Sequence, residues 1–381
     1  MPRPAQLWTC VRHVPLLARH AEQVLGFRLI VGPEAIAAFD VTALRLAVSR
    51  SDLSPRWQGR IYASPLEWTG RSRLLIRIGQ RERSVGVWDV STGTVTWKAS
   101  GDAACWGEMV AVVTWEGELE IRDGANGGVS HRGHLGGKAP GTLLAVDDLL
   151  LRILEGDLSG IDLRSCRTAW TASLREMFSG LPQDGVQFRS LLPCGEGRAL
   201  LRFHTNYGLV DISSGRLIWR RFIPTDHLPL VTREQLGFLY NGRVLVLNTA
   251  SGEPLVERDR AVETLWESRP CLHENRMVAV DPGGHIVTLD IRSGRPIGIQ
   301  RERAANFSDC FNVDGRLLVS DLDGAVWVYE PSDRPRGSSP GMGGTAALAR
   351  GGRLSLAEPA AHGLTDKKRR GRTTRARDRK P

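Results

Sequence analysis

One short pattern returns eight times along this chain: an acidic residue or Asn, three residues, usually a Gly, three more, and often a Trp. Asp89, Gly93 and Trp97 carry it in GVWDVSTGTVTWK, and Asp211, Gly215 and Trp219 carry it in GLVDISSGRLIWR. Asp162 with Trp170, Asn248 with Gly252, Asp290 with Gly294 and Asp123 with Gly127 give further copies, and degenerate ones begin at Asp40 and Glu330. The 290 residues from Asp40 to Glu330 divide into seven steps of about 41, the length expected of a four-stranded propeller blade.

Each copy reads as strand, tight turn and strand. The runs before the acidic residue, such as residues 85–90 and 286–291, are β-branched and aromatic, which suits a pleated, half-buried surface. The Asp, or Asn248, caps the turn by accepting backbone N–H groups just ahead of it. Gly93, Gly215, Gly252 and Gly294 fit a position of positive φ that a side chain would penalise. The Trp four residues later falls on the second strand of the hairpin, where a flat indole can cover the seam between neighbouring sheets.

Another compact apolar run precedes each copy, as at residues 73–78, 109–114, 149–154, 199–203, 277–280 and 316–319. Turn residues follow these runs, among them Asn206, Asn241 with Gly242, and Pro282 with Gly283 and Gly284. With a less regular segment upstream, four strands per unit fit the interval. No stretch sustains helical periodicity, so the expected fold is an all-β propeller of eight four-stranded blades. Intervals of 49 and 34 residues around Asp123 leave seven blades as the alternative.

The chain has 381 residues, 41% of them hydrophobic, and a formal charge of +9. Residues 333–381 hold 13 Lys and Arg against 4 Asp and Glu, which leaves 38 of each sign in residues 1–332. All the excess charge therefore sits on a Gly, Pro and Ser-rich tail, expected to be disordered because it has too few apolar residues to offset the entropy of ordering. The predicted organisation is a propeller over 1–332 and a tail over 333–381. Lys367, Lys368, Arg369, Arg370, Arg372, Arg375, Arg377, Arg379 and Lys380 would form an electrostatic arm for nucleic acid or another acidic surface, or a solvated extension. No aromatic residue interleaves with them to stack on bases.

The N-terminus has no apolar signal core and no run approaches a membrane span of roughly 18 apolar residues, so a cytoplasmic protein is expected. Cys10, Cys105, Cys166, Cys194, Cys271 and Cys310 are scattered without a C-x-x-C pair and read as small buried residues.

The Asp-x-x-x-Gly-x-x-x-Trp motif resembles the tryptophan-docking repeat of the pyrroloquinoline-quinone-like propellers, a superfamily that includes quinoprotein alcohol dehydrogenases and the propeller lipoprotein of outer-membrane assembly. The resemblance spans roughly residues 24–332. It departs from the pattern at Cys166 in place of Gly, at His131, Val256 and Gly298 in place of Trp, and at Leu44 and Val48 in the Asp40 unit. It implies that Trp97, Trp170 and Trp219 pack on neighbouring blades. The last unit runs into Pro331, Pro335 and Gly337, where a strand cannot continue, so the N-terminal segment 6–13 is predicted to close the ring, with Trp8 as the missing indole.

The resemblance does not carry the activity. Quinoprotein dehydrogenases of this superfamily have adjacent cysteines beside the quinone, calcium ligands and long insertions, none of which this sequence shows. Asp281, Asp309, Asp314, Asp321 and Asp323 are numerous enough to suggest calcium, but Asp281 and Asp323 sit in Gly turns where a capping Asp is the default. His131 and His134 have H-x-x-H spacing in a Gly-rich segment that reads as an exposed loop, with no Glu placed as in a zinc protease. No nucleophile elbow or Walker loop is present. No catalytic residue, cofactor or metal is therefore expected.

Two function classes remain. The first is a monomeric, non-catalytic scaffold presenting its loops and channel mouth to protein partners. Its most protruding candidate is the connection 177–190, containing Phe178, Pro182, Gln183 and Phe188, with the aromatic residues as interface anchors unless that stretch hides an inner strand. The second is a ligand-binding propeller, or a quinone-dependent oxidoreductase, with a site at the channel mouth. Clustered carboxylates or histidines there favour the second class, and an apolar or Arg-lined rim favours the first.

Overall fold

Runs of extended, β-branched residues separated by tight turns pair with their nearest neighbours in sequence, because a short turn brings only those two together. The computed structural model of the chain describes residues 8–15, 27–32, 34–40, 45–50, 54–61, 63–78, 84–137, 141–179, 190–195, 197–203, 205–225, 227–259, 261, 269–302, 306–322 and 324–332. Within them lie eight antiparallel sheets of four strands each. Blade 1 spans residues 27–60, blade 2 63–100, blade 3 102–134, blade 4 142–173, blade 5 190–222, blade 6 230–258 and blade 7 271–301. The first strands of neighbouring blades adjoin at the seams 1–2, 2–3, 3–4, 4–5, 7–8 and 8–1, so the first strands line the axis and the fourth strands lie outermost.

Blade 8 is assembled from both ends of the ring. Phe307–Val313, Arg316–Asp321 and Ala325–Pro331 supply its inner three strands, and Trp8–Pro15 supplies the outermost. Trp8 stands opposite Pro331 and Pro15 opposite Ala325. The propeller is eight-bladed and closed by the N-terminal strand, and the seven-blade alternative falls.

The apolar core is distributed between blades rather than gathered at one centre. Leu75, Val85 and Val87 of blade 2 meet Ala103, Val110 and Val112 of blade 3. Ile36 and Ala38 of blade 1 meet Leu318 and Val326 of blade 8 in the same way, which completes the circle. Each sheet thus buries both faces against neighbours, so its middle strands read as continuous apolar runs, as in Val85, Val87 and Trp88.

In each of blades 2 to 7 one backbone bond ties the two turns of one face together. The N–H after the turn-capping residue donates to the turn between the first two strands: Val90 to Ser72, Gly124 to Glu108, Leu163 to Asp148, Ile212 to Gly197, Thr249 to Glu234 and Ile291 to Asn275.

Four sequence expectations are corrected. Asp40 ends Ala35–Asp40, the second strand of blade 1, while the outer hairpin of that blade joins Arg45–Arg50 to Pro55–Arg60. Trp57 there faces Val48 as Trp97 faces Val87. The stretch from Val48 to Trp57 is one residue shorter than that from Val87 to Trp97 and holds no Gly, so the spacing of the motif fails there. His131 and His134 lie exposed on the outermost strand Val129–His134, not on a loop. Phe178 follows the short helix Leu174–Met177 and is buried among Leu158, Leu191 and Leu201, because the chain turns inward after blade 4. It is no surface anchor; Pro182, Gln183 and Phe188 fall outside the described residues. Cys10 is exposed on the closing strand, unlike buried Cys166, Cys194 and Cys310. Among the described residues no helix is long and apolar enough to cross a membrane. Residues 333–381, with the whole basic cluster from Lys367 to Lys380, and Asp323 also lie outside the described residues.

Candidate functional site

The acidic residue of each repeat builds its turn through the same bonds. Asp211 Oδ1 accepts the N–H groups of Ser213 and Ser214, both at 3.0 Å, and their hydroxyls at 2.6 and 2.9 Å. Asp290 accepts from Arg292 and Ser293, Asp162 from Ser165, Asp123 from Ala125 and Asn126, and Asp89 from Ser91 and Thr92. Asn248 reproduces the geometry without charge, accepting Ala250 N–H at 2.8 Å and Ser251 N–H at 3.1 Å. The Ser213 hydroxyl and the other donors hold the Asp211 carboxyl below the ordinary carboxylate range against the opposing effect of burial.

The glycine and the tryptophan of one repeat serve different seams. Trp97 Nε1 donates to the Gly124 carbonyl of the next blade at 3.3 Å, Trp170 to Ile212 at 2.8 Å and Trp219 to Thr249 at 2.9 Å. Each indole lies on the glycine of that next turn. A Cβ on Gly215 would stand 2.4 Å from the Trp170 ring, and one on Gly252 2.6 Å from Trp219. Gly93 receives Trp57, Gly127 receives Trp97 and Gly294 receives Val256. Positive φ alone does not demand glycine, since Cys166 takes φ 53° at the equivalent position of blade 4. That turn faces Gly133 of blade 3 rather than an indole, and Gly133 is what admits the backbone of Cys166.

Trp8 departs from this direction. Its ring is 1% exposed, lies edge-on to His273 at 4.7 Å, and its Nε1 donates to Thr288 Oγ1, so it packs on the preceding blade 7. The position on the closing strand equivalent to Trp97 is Arg12, opposite Val328. Trp8 therefore closes the ring by reaching backward, and the expectation of an ordinary docking indole is corrected.

The concave features cluster on the face stitched by the turn bonds. The innermost strands shorten to Ser190–Pro193, Leu230–Val231 and Cys271–His273 in blades 5 to 7, and the channel widens there into a cavity of about 540 Å³. Its walls are largely apolar, with Leu192, Leu230, Val231, Leu272 and Phe311, and Arg233 and Arg269 supply charge. Two smaller depressions adjoin it, one holding Arg198 and Asn248, the other Asn275 and Arg292. Arg233 borders all three.

The calcium candidates are spread out. Buried Asp281 accepts the N–H and Nδ1 of His285 at 3.0 and 2.9 Å, and Asp321 accepts Ala325 N–H and Trp327 Nε1 at 2.8 and 2.9 Å. Both cap turns on the opposite face. Asp309 lies on the innermost strand of blade 8, where burial raises its carboxyl against the opposing pull of Arg269 and His227. Among the described residues no three His, Cys, Asp or Glu side chains gather as a metal site. What the motif could not reveal is the channel mouth, because its residues come from the irregular inner strands of several blades.

No protein-family model matches the chain, and no curated protein matches it in sequence. Solved structures do resemble it. The crystal structure of BamB from Moraxella catarrhalis superposes with a TM-score of 0.61 at 16% identity, over 85% of this chain and 100% of that one. Sqt1 from Saccharomyces cerevisiae gives 0.60 at 10% identity over 87% and 100%. The computationally designed Ika8 protein gives 0.59 at 14% identity over 83% and 99%. These likenesses identify the chain's fold as that of the β-propellers.

Proposed function

We propose that the chain is a non-catalytic scaffold of the pyrroloquinoline-quinone-like propeller superfamily that docks a protein partner on the channel-mouth face of blades 5 to 7. The observation that carries this reading is the meeting of three depressions at Arg233, with an apolar floor and, around it, the guanidinium groups of Arg198, Arg233, Arg269 and Arg292 against the single carboxylate of Glu234. An apolar floor ringed by arginine suits a segment bearing acidic and large apolar side chains, since arginine and buried apolar anchors dominate interface energies. The basic tail adds salt-sensitive contacts to the same assembly.

The test is affinity purification from the native cell of the full chain, of Arg198→Glu/Arg233→Glu, and of a chain ending at Ser332. A stoichiometric partner retained by the full chain and weakened about tenfold or more by the charge reversal supports the reading. Loss on truncation, reversed by lowering the salt, assigns part of the contact to the tail. A thermal shift with pyrroloquinoline quinone and calcium, with no partner retained, would replace the scaffold by a quinone-dependent propeller.

A further inference from the structure

Two cysteines that lie far apart in sequence share one wall of the channel cavity. Cys271 stands on the innermost strand of blade 7 and Cys310 on that of blade 8, and both line the 540 Å³ cavity. The Cys310 thiol is buried at the seam and donates to the Val278 carbonyl at 3.4 Å; Val278 is the cross-strand partner of Cys271. Cys271 packs against the buried cluster that holds Cys310. Their neighbours are Trp8, Phe307 and Leu317, so the pair sits in the seam that the N-terminal strand closes.

We infer that Cys271 and Cys310 form a redox-active dithiol that closes to a disulfide under hydrogen peroxide, stapling blade 7 to blade 8. The two thiols have unequal roles. Cys271 is half-buried and opens onto the cavity, whereas Cys310 is 2% exposed. The contact with Cys271, then burial and the Asp309 carboxylate, raise the Cys310 thiol well above its ordinary range, so it stays protonated. Cys271, which peroxide reaches from the cavity, is thus the attacking sulfur and Cys310 the resolving one.

The thiolate sulfur of Cys271 attacks one peroxide oxygen, the O–O bond breaks, and Cys271 becomes a sulfenic acid while the departing hydroxide takes up the proton that Cys271 had lost, giving water. Cys310 sulfur then displaces the sulfenic oxygen, which leaves with the Cys310 proton as a second water. Two thiols are oxidised by two electrons and one peroxide is reduced. The inner strands of blades 7 and 8 already adjoin, so closure needs no strand to move between blades.

The experiment oxidises the full chain with hydrogen peroxide, alkylates the remaining thiols and maps peptides by mass. Exposed Cys10 serves as an internal control for oxidation. The expected result is a linked Cys271–Cys310 peptide that dithiothreitol reverses, with the oxidised ring melting on the order of 5 °C higher. Cys310→Ala should instead accumulate sulfenic acid at Cys271, seen by dimedone labelling. If both thiols of the unaltered chain remain fully alkylatable while Cys10 is oxidised, the inference is overturned, and this arm does not depend on any variant folding.

Discussion

The indole N–H of Trp8 donates to the hydroxyl of Thr288 at 2.9 Å, joining positions 280 residues apart. Thr288 is the cross-strand partner of Gly298, the glycine that stands where a docking tryptophan would be in blade 7. Ordinary seams place the indole on the outer strand of one blade and the glycine in the turn of the next. The closing seam exchanges them, with Gly298 on the outer strand and Trp8 at the start of the next blade's outer strand. The exchange lets the N-terminal strand lock the ring through Trp8.

Trp8→Ala should therefore lower stability by about 3–5 kcal/mol, the usual range for emptying a buried aromatic site. Thr288→Val, which keeps the volume and removes the hydroxyl, should cost about 1 kcal/mol. Denaturant midpoints of the two variants measure both. Equal small losses would mean that Trp8 contributes little to closure.

Gly215 and Trp170 should behave as a coupled pair. Gly215→Ala adds a methyl 2.4 Å from the Trp170 ring at φ 69°, and overpacking with left-handed strain predicts a loss of about 2–4 kcal/mol. In a Trp170→Ala background the steric part disappears and only the backbone strain remains. A double-mutant cycle should show a coupling energy of about 1–2 kcal/mol; strict additivity would separate the glycine from the indole.

The turn carboxylates set the acid limit of the ring. Asp89, Asp123, Asp162, Asp211 and Asp290 are all lowered by bonds from their own turns; burial opposes this and is the largest single influence at Asp89 and Asp290. A folded value below the unfolded one means that their stabilisation is present above about pH 4 and is lost as pH falls through the folded values. Asp211→Asn should keep the turn, as Asn248 does, and remove the local share of this dependence, while Asp211→Ala should cost about 1 kcal/mol at neutral pH. Melting temperature against pH distinguishes the two.

Glu67 has the opposite sign. It lies on the innermost strand of blade 2 and accepts the N–H of Cys105 on blade 3 at 3.4 Å, and burial raises its carboxyl despite that bond. Its protonated form is favoured in the fold, so its contribution is complete below the unfolded value near pH 4 and is lost as pH rises through the folded one. Glu67→Gln should raise the melting temperature at pH 8 and leave it unchanged at pH 3. A shift of equal size at both values would refute the assignment.

The repeat by itself determined most of the strands, the capped turns and a direct count of eight units, while the Pro and Gly residues after the last unit pointed to an N-terminal strand for closure. These are consequences of residue spacing within one unit, where a few covalent steps fix which run pairs with which. Tertiary structure decided the rest. Trp57 stays hidden because a shortened turn breaks the spacing while keeping the register opposite Val48. The partner of Gly93, Gly127, Gly215 and Gly252 is the indole of the preceding blade, the direction of Trp8 goes with the absence of an indole at Gly298, and the meeting of Cys271 with Cys310 depends on two inner strands lying side by side. Such contacts join different repeats at separations that no local periodicity sets. The channel mouth around Arg233 is of the same kind, since closing the ring brings its five innermost strands together, from blades 1, 5, 6, 7 and 8.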